Sequence, residues 1–222
     1  MKTVQQLVDK YYTSNDYSML RDRTKQDYKY FLSVMCKEFG DVNYTELTSK
    51  QAKHAYEDWV VRGISLANQV CTVSSIVFRY AIEMEYAAIN PFANVKRKSA
   101  PQRKVVWTED DVRQFLDTAY GEFEWRSIGL IVHMAYEWCQ RLGDMRLLTW
   151  DNFDFANRKL SLEQSKRRAE VTLPIEDDLY DMLVQQEQDF GFQQYVVPRT
   201  SPVQGQYHPY SMERLSKAGR AV

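Results

Sequence analysis

Tyr136-Glu137-Trp138-Cys139-Gln140-Arg141-Leu142-Gly143-Asp144-Met145-Arg146-Leu147-Leu148-Thr149-Trp150 carries more information than any other stretch of this 222-residue chain. An apolar run, Ile128 to Met134, precedes it and reads as a buried helix. Arg141 is a permanent cation set where that helix ends and the next begins. Gly143 is expected to permit the turn. Asp144 opens a second helical pattern, with Met145, Leu148 and Thr149 facing inward. An arginine near a core needs an anion. Asp144, three residues on, is one candidate. A phosphate is the other, because a planar guanidinium grips two oxygens at once. Local sequence leaves both open.

Asp151-Asn152-Phe153-Asp154 follows, and then two strand-like runs. Arg158 to Gln164 alternates weakly. Ala169 to Ile175 alternates clearly and reads as its partner. Ser165-Lys166-Arg167-Arg168 lies between them as a hairpin tip. A basic hairpin tip is either a solvated turn or a contact for an anion.

Taken together these residues resemble the tyrosine recombinase, or phage integrase, family. The resemblance rests on Arg141-Leu142-Gly143-Asp144, on Leu147-Leu148-Thr149-Trp150-Asp151-Asn152-Phe153-Asp154, on Gln164-Ser165-Lys166 and on Val171-Thr172-Leu173-Pro174. The first blocks look like the family's arginine, two spacers and an acid, followed by Leu-x-Trp-x-Asp. The last look like its strand–Lys–strand element. Cys139-Gln140 replaces the Thr-Gly common before the arginine, a departure in the turn and not in the chemistry. The resemblance implies a mainly α fold with a small antiparallel β-hairpin or sheet. A helical core-binding bundle, 1–95, would be followed by a basic linker, 96–107, and by an α+β catalytic domain, 108–222, truncated at its C-terminus.

Composition agrees with a globular chain: 44% hydrophobic and 27% charged residues. No apolar run reaches the length of a membrane span, and Met1-Lys2-Thr3-Val4-Gln5-Gln6 lacks the apolar core of a signal peptide. Cys36, Cys71 and Cys139 have no metal-type spacing, and are expected as reduced core residues on apolar helix faces. A net charge of −1 excludes a uniformly basic surface, so any nucleic-acid contact must come from local patches.

The first ninety residues read as helices alone. Thr3-Val4-Gln5-Gln6 and Thr48-Ser49-Lys50-Gln51 are capping boxes. Thr13 to Ser18 reads as a polar turn. Tyr28, Phe31, Leu32, Met35, Cys36 and Phe39 keep a 3.6-residue period over a helix from about Arg23 to Phe39. Its early turns carry Arg21, Arg23, Lys25 and Lys29. Ser65 is expected to cap a long helix that stops before Asn90-Pro91. Thr24-x-x-x-Tyr28 and Phe78-Arg79-Tyr80-Ala81 … Ile89-Asn90-Pro91-Phe92 resemble the core-binding domain of integrases. Residues 96–104 hold five cations, Lys96, Arg97, Lys98, Arg103 and Lys104, and no acid. This reads as a tether or as a strap that neutralises phosphates across a duplex. Thr108 caps a helix with Val112, Phe115, Leu116 and Ala119 inward, and a turn is expected at Tyr120 to Glu124. Trp125 to Cys139 and Glu176 to Gln188 read as helices, Phe190 to Tyr210 as loop, and Ser211 to Val222 as the start of one more helix.

Moving a phosphodiester requires a nucleophile, charge stabilisation and an acid for the leaving oxygen. Arginine suits the second task and a positioned lysine the third. By the resemblance, Arg141 is the first catalytic arginine, Lys166 the hairpin acid and Asp144 the acid that buttresses the site. Arg21, Arg23, Lys25, Lys29, Lys96, Arg97, Lys98, Arg103, Lys104, Arg167 and Arg168 are the expected DNA contacts. The family also uses a His-x-x-Arg pair and a nucleophilic tyrosine. His54, His133 and His208 are not followed by that arginine, and Tyr195, Tyr207 and Tyr210 read as loop or core aromatics. The chain is therefore expected to be inactive alone.

The resemblance implies double-stranded DNA as partner and a homotetramer on DNA in the full-length form. It implies no metal or other cofactor, and it admits accessory DNA-bending or directionality factors. The setting would be the cytoplasm of a bacterial host, with integration or excision of a phage or mobile element as the reaction. The alternatives are a catalytically inactive module that occupies or regulates recombination sites, and an unrelated helical regulator.

Overall fold

Thr3 opens the first helix as its sequence demands. Its hydroxyl accepts from the Gln6 N–H while the Gln6 side chain accepts from the Thr3 N–H, so two otherwise orphaned donors are satisfied. In the computed structural model, which describes residues 2–101, 104 and 106–222, the chain divides into two compact units, Met1–Lys104 and Val105–Val222. The first is all-helical: α1 Val4–Tyr12, α2 Asn15–Ser18, α3 Asp22–Phe39, α4 Ser49–Arg62 and α5 Ile64–Glu83. The turn expected at Thr13 to Ser18 contains α2, because the Ser14 hydroxyl accepts from the Tyr17 N–H and nucleates one helical turn.

The step from α4 to α5 is made by a single residue. Gly63 has φ 141° and ψ 131°, and it caps both helices. That backbone region strains any residue with a Cβ. α5 therefore starts at Ile64, ahead of the Ser65 cap expected from sequence. Leu7, Leu32, Met35, Val70, Phe78 and Phe92 are buried in one core. The Trp59 and Phe92 rings stack with centroids 6.3 Å apart. Burying one such side chain contributes about 1.5–3 kcal/mol, and Phe92 brings the segment after α5 back onto the bundle.

The second unit runs α6 Glu109–Gly121, α7 Phe123–Glu137, α8 Leu142–Met145, a 3-10 turn at Trp150–Asn152, β1 Phe153–Asp154, β2 Lys159–Glu163, β3 Glu170–Pro174, α9 Asp177–Phe190 and α10 Met212–Ala218. The expected turn at Tyr120 to Glu124 shrinks to Glu122, since α6 continues to Gly121 and α7 begins at Phe123. Ile128, Leu130, Ile131 and Met134 are buried along α7, facing Leu179 and Leu183 of α9.

The three strands form an antiparallel sheet in the order β1-β2-β3. Leu160 pairs with Leu173 and Leu162 with Val171, so the alternating apolar residues of both strands share the core face. β1 has no periodic signal of its own, because two residues cannot alternate. It exists because Phe153 pairs with Leu160 and packs near Trp138 and Trp150.

The cysteines divide. Cys71 is buried and Cys36 half-buried, and burial pushes the Cys36 thiol up to about 11. Cys139 is exposed beyond the end of α7, contrary to its expected place in a core. No helix among the described residues is long and apolar enough to cross a membrane.

Candidate functional site

The corner before Arg141 is built by its backbone. α7 ends at Glu137, Trp138 caps it, and Cys139 takes a left-handed φ of 50°. This sharp reversal aims the following residues away from the helix. Gly143, expected to supply the turn, lies inside α8 without positive φ. The strained position is Cys139, where an L-residue costs about 1–2 kcal/mol.

Three side chains fasten this corner to the sheet. The Trp138 indole N–H donates to the Pro174 carbonyl on β3 at 2.8 Å. Gln140 Nε2 donates to the Trp138 carbonyl at 2.9 Å, and Gln164 Nε2 donates to Gln140 Oε1 at 2.7 Å. Gln164 is the residue after β2. Its N–H donates to the Ala169 carbonyl and its own carbonyl accepts from the Arg168 N–H, closing the hairpin tip. Lys166, Arg167 and Arg168 are exposed on that tip. Arg141 and Lys166 therefore sit on two elements joined by a direct side-chain hydrogen bond.

Arg141 caps α8 and faces Asp144 at Nη1–Oδ2 3.6 Å. The Asp144 side chain is 4% exposed and that of Arg141 43%. The contact qualifies as an ion pair but not as a hydrogen bond, and Asp144 Oδ2 has no hydrogen-bond partner. We read it as a charge contact: the buried carboxylate holds the guanidinium electrostatically while its fork stays partly open to solvent. The arrangement can accept a second, external anion at Arg141. Arg146 braces the other side, its Nη1 donating to the Tyr210 carbonyl at 2.7 Å. This brings Ser211, the cap of α10, beside α8; a Cβ on Gly143 would stand 3.9 Å from Met212 Sδ.

The cations of the first unit sit differently from their even distribution in sequence. At about 100° per residue, Lys25 and Lys29 fall within roughly 40° of one another on α3, and Arg23 lies on the opposite side; Arg21 precedes the helix as its N-cap, with extended backbone. Arg23 pairs with Asp27 at 3.2 Å. Lys96, Arg97, Lys98 and Lys104 are exposed; Arg103 lies outside the described residues. Lys98 is held by its backbone to α4 and α5 through Tyr56 and Asn68.

Elsewhere in the second unit, α6, α7 and α9 line an open groove of about 500 Å³ whose walls include Asp117, Glu137, Asp178 and Asp181. At its edge His133 is 8% exposed and pairs through Nδ1 with the Tyr120 hydroxyl at 2.8 Å. Burial lowers the His133 pKa below its usual value, with Glu137 and Asp178 opposing, and burial raises that of Tyr120. Among the described residues no group of His, Cys, Asp and Glu could hold a metal ion.

Sequence reading missed Gln140 as a tie and Arg146 as a brace. In the sequence Gln140 stands out only as a departure from the family's pattern. Nothing local could have paired it with Gln164, 24 residues away.

A profile described as the phage integrase family matches residues 106–217. No curated protein matches the chain. Among solved structures, a lambda integrase dimer bound to a COC′ core site superposes with a TM-score of 0.81 at 17% identity, covering 99% of this chain and 63% of that one. A lambda integrase tetramer bound to a Holliday junction gives 0.80 at 18% identity, covering 99% and 66%. The Tn1549 transposon integrase in complex with a circular intermediate DNA gives 0.73 at 16%, covering 100% and 79%. At such identities the likeness concerns the fold. The chain spans under two thirds of the length of the first of these relatives.

Proposed function

The chain belongs to the phage integrase family, and on that premise we propose that it forms part of a site-specific tyrosine recombinase that binds duplex DNA. In this reading the full-length protein breaks and rejoins strands through a phosphotyrosyl bond, to integrate or excise a phage or mobile element. Residues 1–95 act as the core-binding unit, 96–107 as a basic connection and 108–222 as part of the catalytic unit.

Arg141 clamps the nonbridging oxygens of the scissile phosphate, and its grip tightens as charge builds on them. Asp144, buried behind it, keeps the guanidinium in place. Lys166 protonates the leaving 5′ oxygen. Arg167, Arg168, the α3 cations and the 96–104 patch hold the backbone on either side. Like the lambda integrase bound to a Holliday junction, the full protein assembles as a tetramer, and accessory DNA-bending or directionality factors act on that complex.

The observation that supports this reading most is the Gln164–Gln140 hydrogen bond, because it couples the hairpin bearing Lys166 to the corner bearing Arg141. The alternative is a catalytically inactive module that occupies or regulates recombination sites.

Titration of labelled duplex DNA at rising salt tests the binding claim. Each neutralised phosphate should add about −0.9 to the slope of log K against log salt. Replacing Lys96, Arg97, Lys98, Arg103 and Lys104 with Gln should flatten that slope, and an unchanged slope removes the patch from the interface. A nicked suicide substrate should trap no covalent adduct with this chain. An adduct at Tyr195, Tyr207 or Tyr210 would place the nucleophile within it.

A further inference from the structure

Tyr56 and Asn68 make a connection that DNA binding in general does not require. The Tyr56 ring is 2% exposed in the bundle core, but its hydroxyl reaches the segment after Val95. That hydroxyl accepts from the Lys98 N–H at 2.6 Å and donates to Asn68 Oδ1 at 2.8 Å. Asn68 Nδ2 in turn donates to the Lys98 carbonyl at 2.9 Å. Both backbone polar groups of Lys98 are thus fixed by two helices, α4 and α5. One residue earlier, Arg97 lies close enough to the buried Cys71 thiol on α5 to oppose the upward push of burial on its pKa, and Arg97 is itself exposed.

Lys96, Arg97 and Lys98 are all exposed.

We propose that Lys96, Arg97 and Lys98 form a preset contact for DNA backbone phosphates, mounted on the first unit by Tyr56 and Asn68. The proposal rests on the DNA-binding reading above and sets these three of the five cations of residues 96–104 apart as held in place before DNA arrives. Cations on a fixed backbone bind phosphate without first losing the chain's freedom, which is the advantage of preorganisation. Ordering the backbone of one residue corresponds to roughly 5-fold to 30-fold in affinity. The anchor should therefore alter affinity without altering the number of phosphates neutralised.

The test is fluorescence anisotropy of this chain with a labelled duplex across a salt series, using Tyr56→Phe, Asn68→Ala, Arg97→Gln and Lys98→Gln. Tyr56→Phe keeps the ring in the core and removes only the hydroxyl; exchange of the Lys98 amide should quicken in it. Tyr56→Phe and Asn68→Ala should weaken binding about 5-fold or more at each salt concentration, with the slope unchanged. Lys98→Gln and Arg97→Gln should each reduce the slope by about 0.9. The proposal is overturned if Tyr56→Phe and Asn68→Ala bind as the parent does, if the Lys98 amide exchanges no faster, or if Lys98→Gln leaves the slope unchanged. Loss of the underlying reading looks different, since the parent chain itself would then show no salt-dependent binding.

Discussion

Gln164 donates to Gln140 at 2.7 Å, joining the loop end of a β-hairpin to the residue before Arg141 across 24 positions of sequence. The bond is half-buried, and Gln140 in turn donates to the Trp138 carbonyl. Gln164→Ala should therefore speed amide exchange at Lys166 to Ala169 by roughly 5-fold to 10-fold, the equivalent of a net hydrogen bond of about 1 kcal/mol. Exchange in α7 and α9 should not change. Equal acceleration throughout the second unit would mean that Gln164 supports the whole fold and not the tip.

Cys139 offers a stabilising substitution. Its φ of 50° suits glycine, and its thiol makes only a 3.8 Å contact with the Tyr136 carbonyl. Cys139→Gly should raise stability by about 1 kcal/mol, a gain of several degrees in Tm for a unit of this size. Cys139→Val, with its branched Cβ, should lower it. A fall in Tm with glycine would show that the thiol contact outweighs the backbone strain.

His133 makes the second unit sensitive to acid. Burial is the main cause of its lowered pKa, with Glu137 and Asp178 opposing. Below about pH 6.5 the unfolded chain takes up a proton that the folded one refuses, so stability falls as pH drops through that window toward the folded pKa. Above it the effect is absent. Urea midpoints measured from pH 7.5 to 5 should show this decline, and His133→Gln should flatten that part of it. A midpoint that rose toward pH 5 would reverse the assignment of a neutral imidazole.

Arg141 and Lys166 should separate by leaving group in the protein's full reading frame. Arg141→Ala should slow cleavage by roughly 10²-fold to 10³-fold, by analogy with loss of one oxyanion donor. Lys166→Ala should slow it by roughly 10²-fold to 10⁴-fold, as for a positioned acid. A bridging 5′-thiolate, which needs no proton to leave, should restore most of the Lys166→Ala loss and none of the Arg141→Ala loss. Single-turnover cleavage of oxygen- and sulfur-bridged substrates measures both. Rescue of neither, or of both alike, removes Lys166 as the acid.

The helices were legible because their signals are local. Capping boxes at Thr3, Thr48 and Thr108, and the period from Tyr28 to Phe39, are set by neighbours within four residues. The hairpin between Glu163 and Glu170 follows from alternation, and Arg141, Asp144 and Lys166 stand out in the sequence only through a spacing that resembles the family's pattern.

Tertiary structure alone decided the rest. β1 is a strand because Phe153 meets Leu160, and α5 begins early because Gly63 can turn where Ser65 cannot. Burial of Asp144 and the half-exposure of Arg141 depend on what packs around α8, as do the ties from Gln140 to Gln164 and from Tyr56 to Lys98. Each joins residues more than twenty positions apart or depends on the solvent that neighbouring elements exclude. A hydrogen bond between distant side chains leaves no period in the sequence, so only the folded backbone can reveal which polar residues are partners.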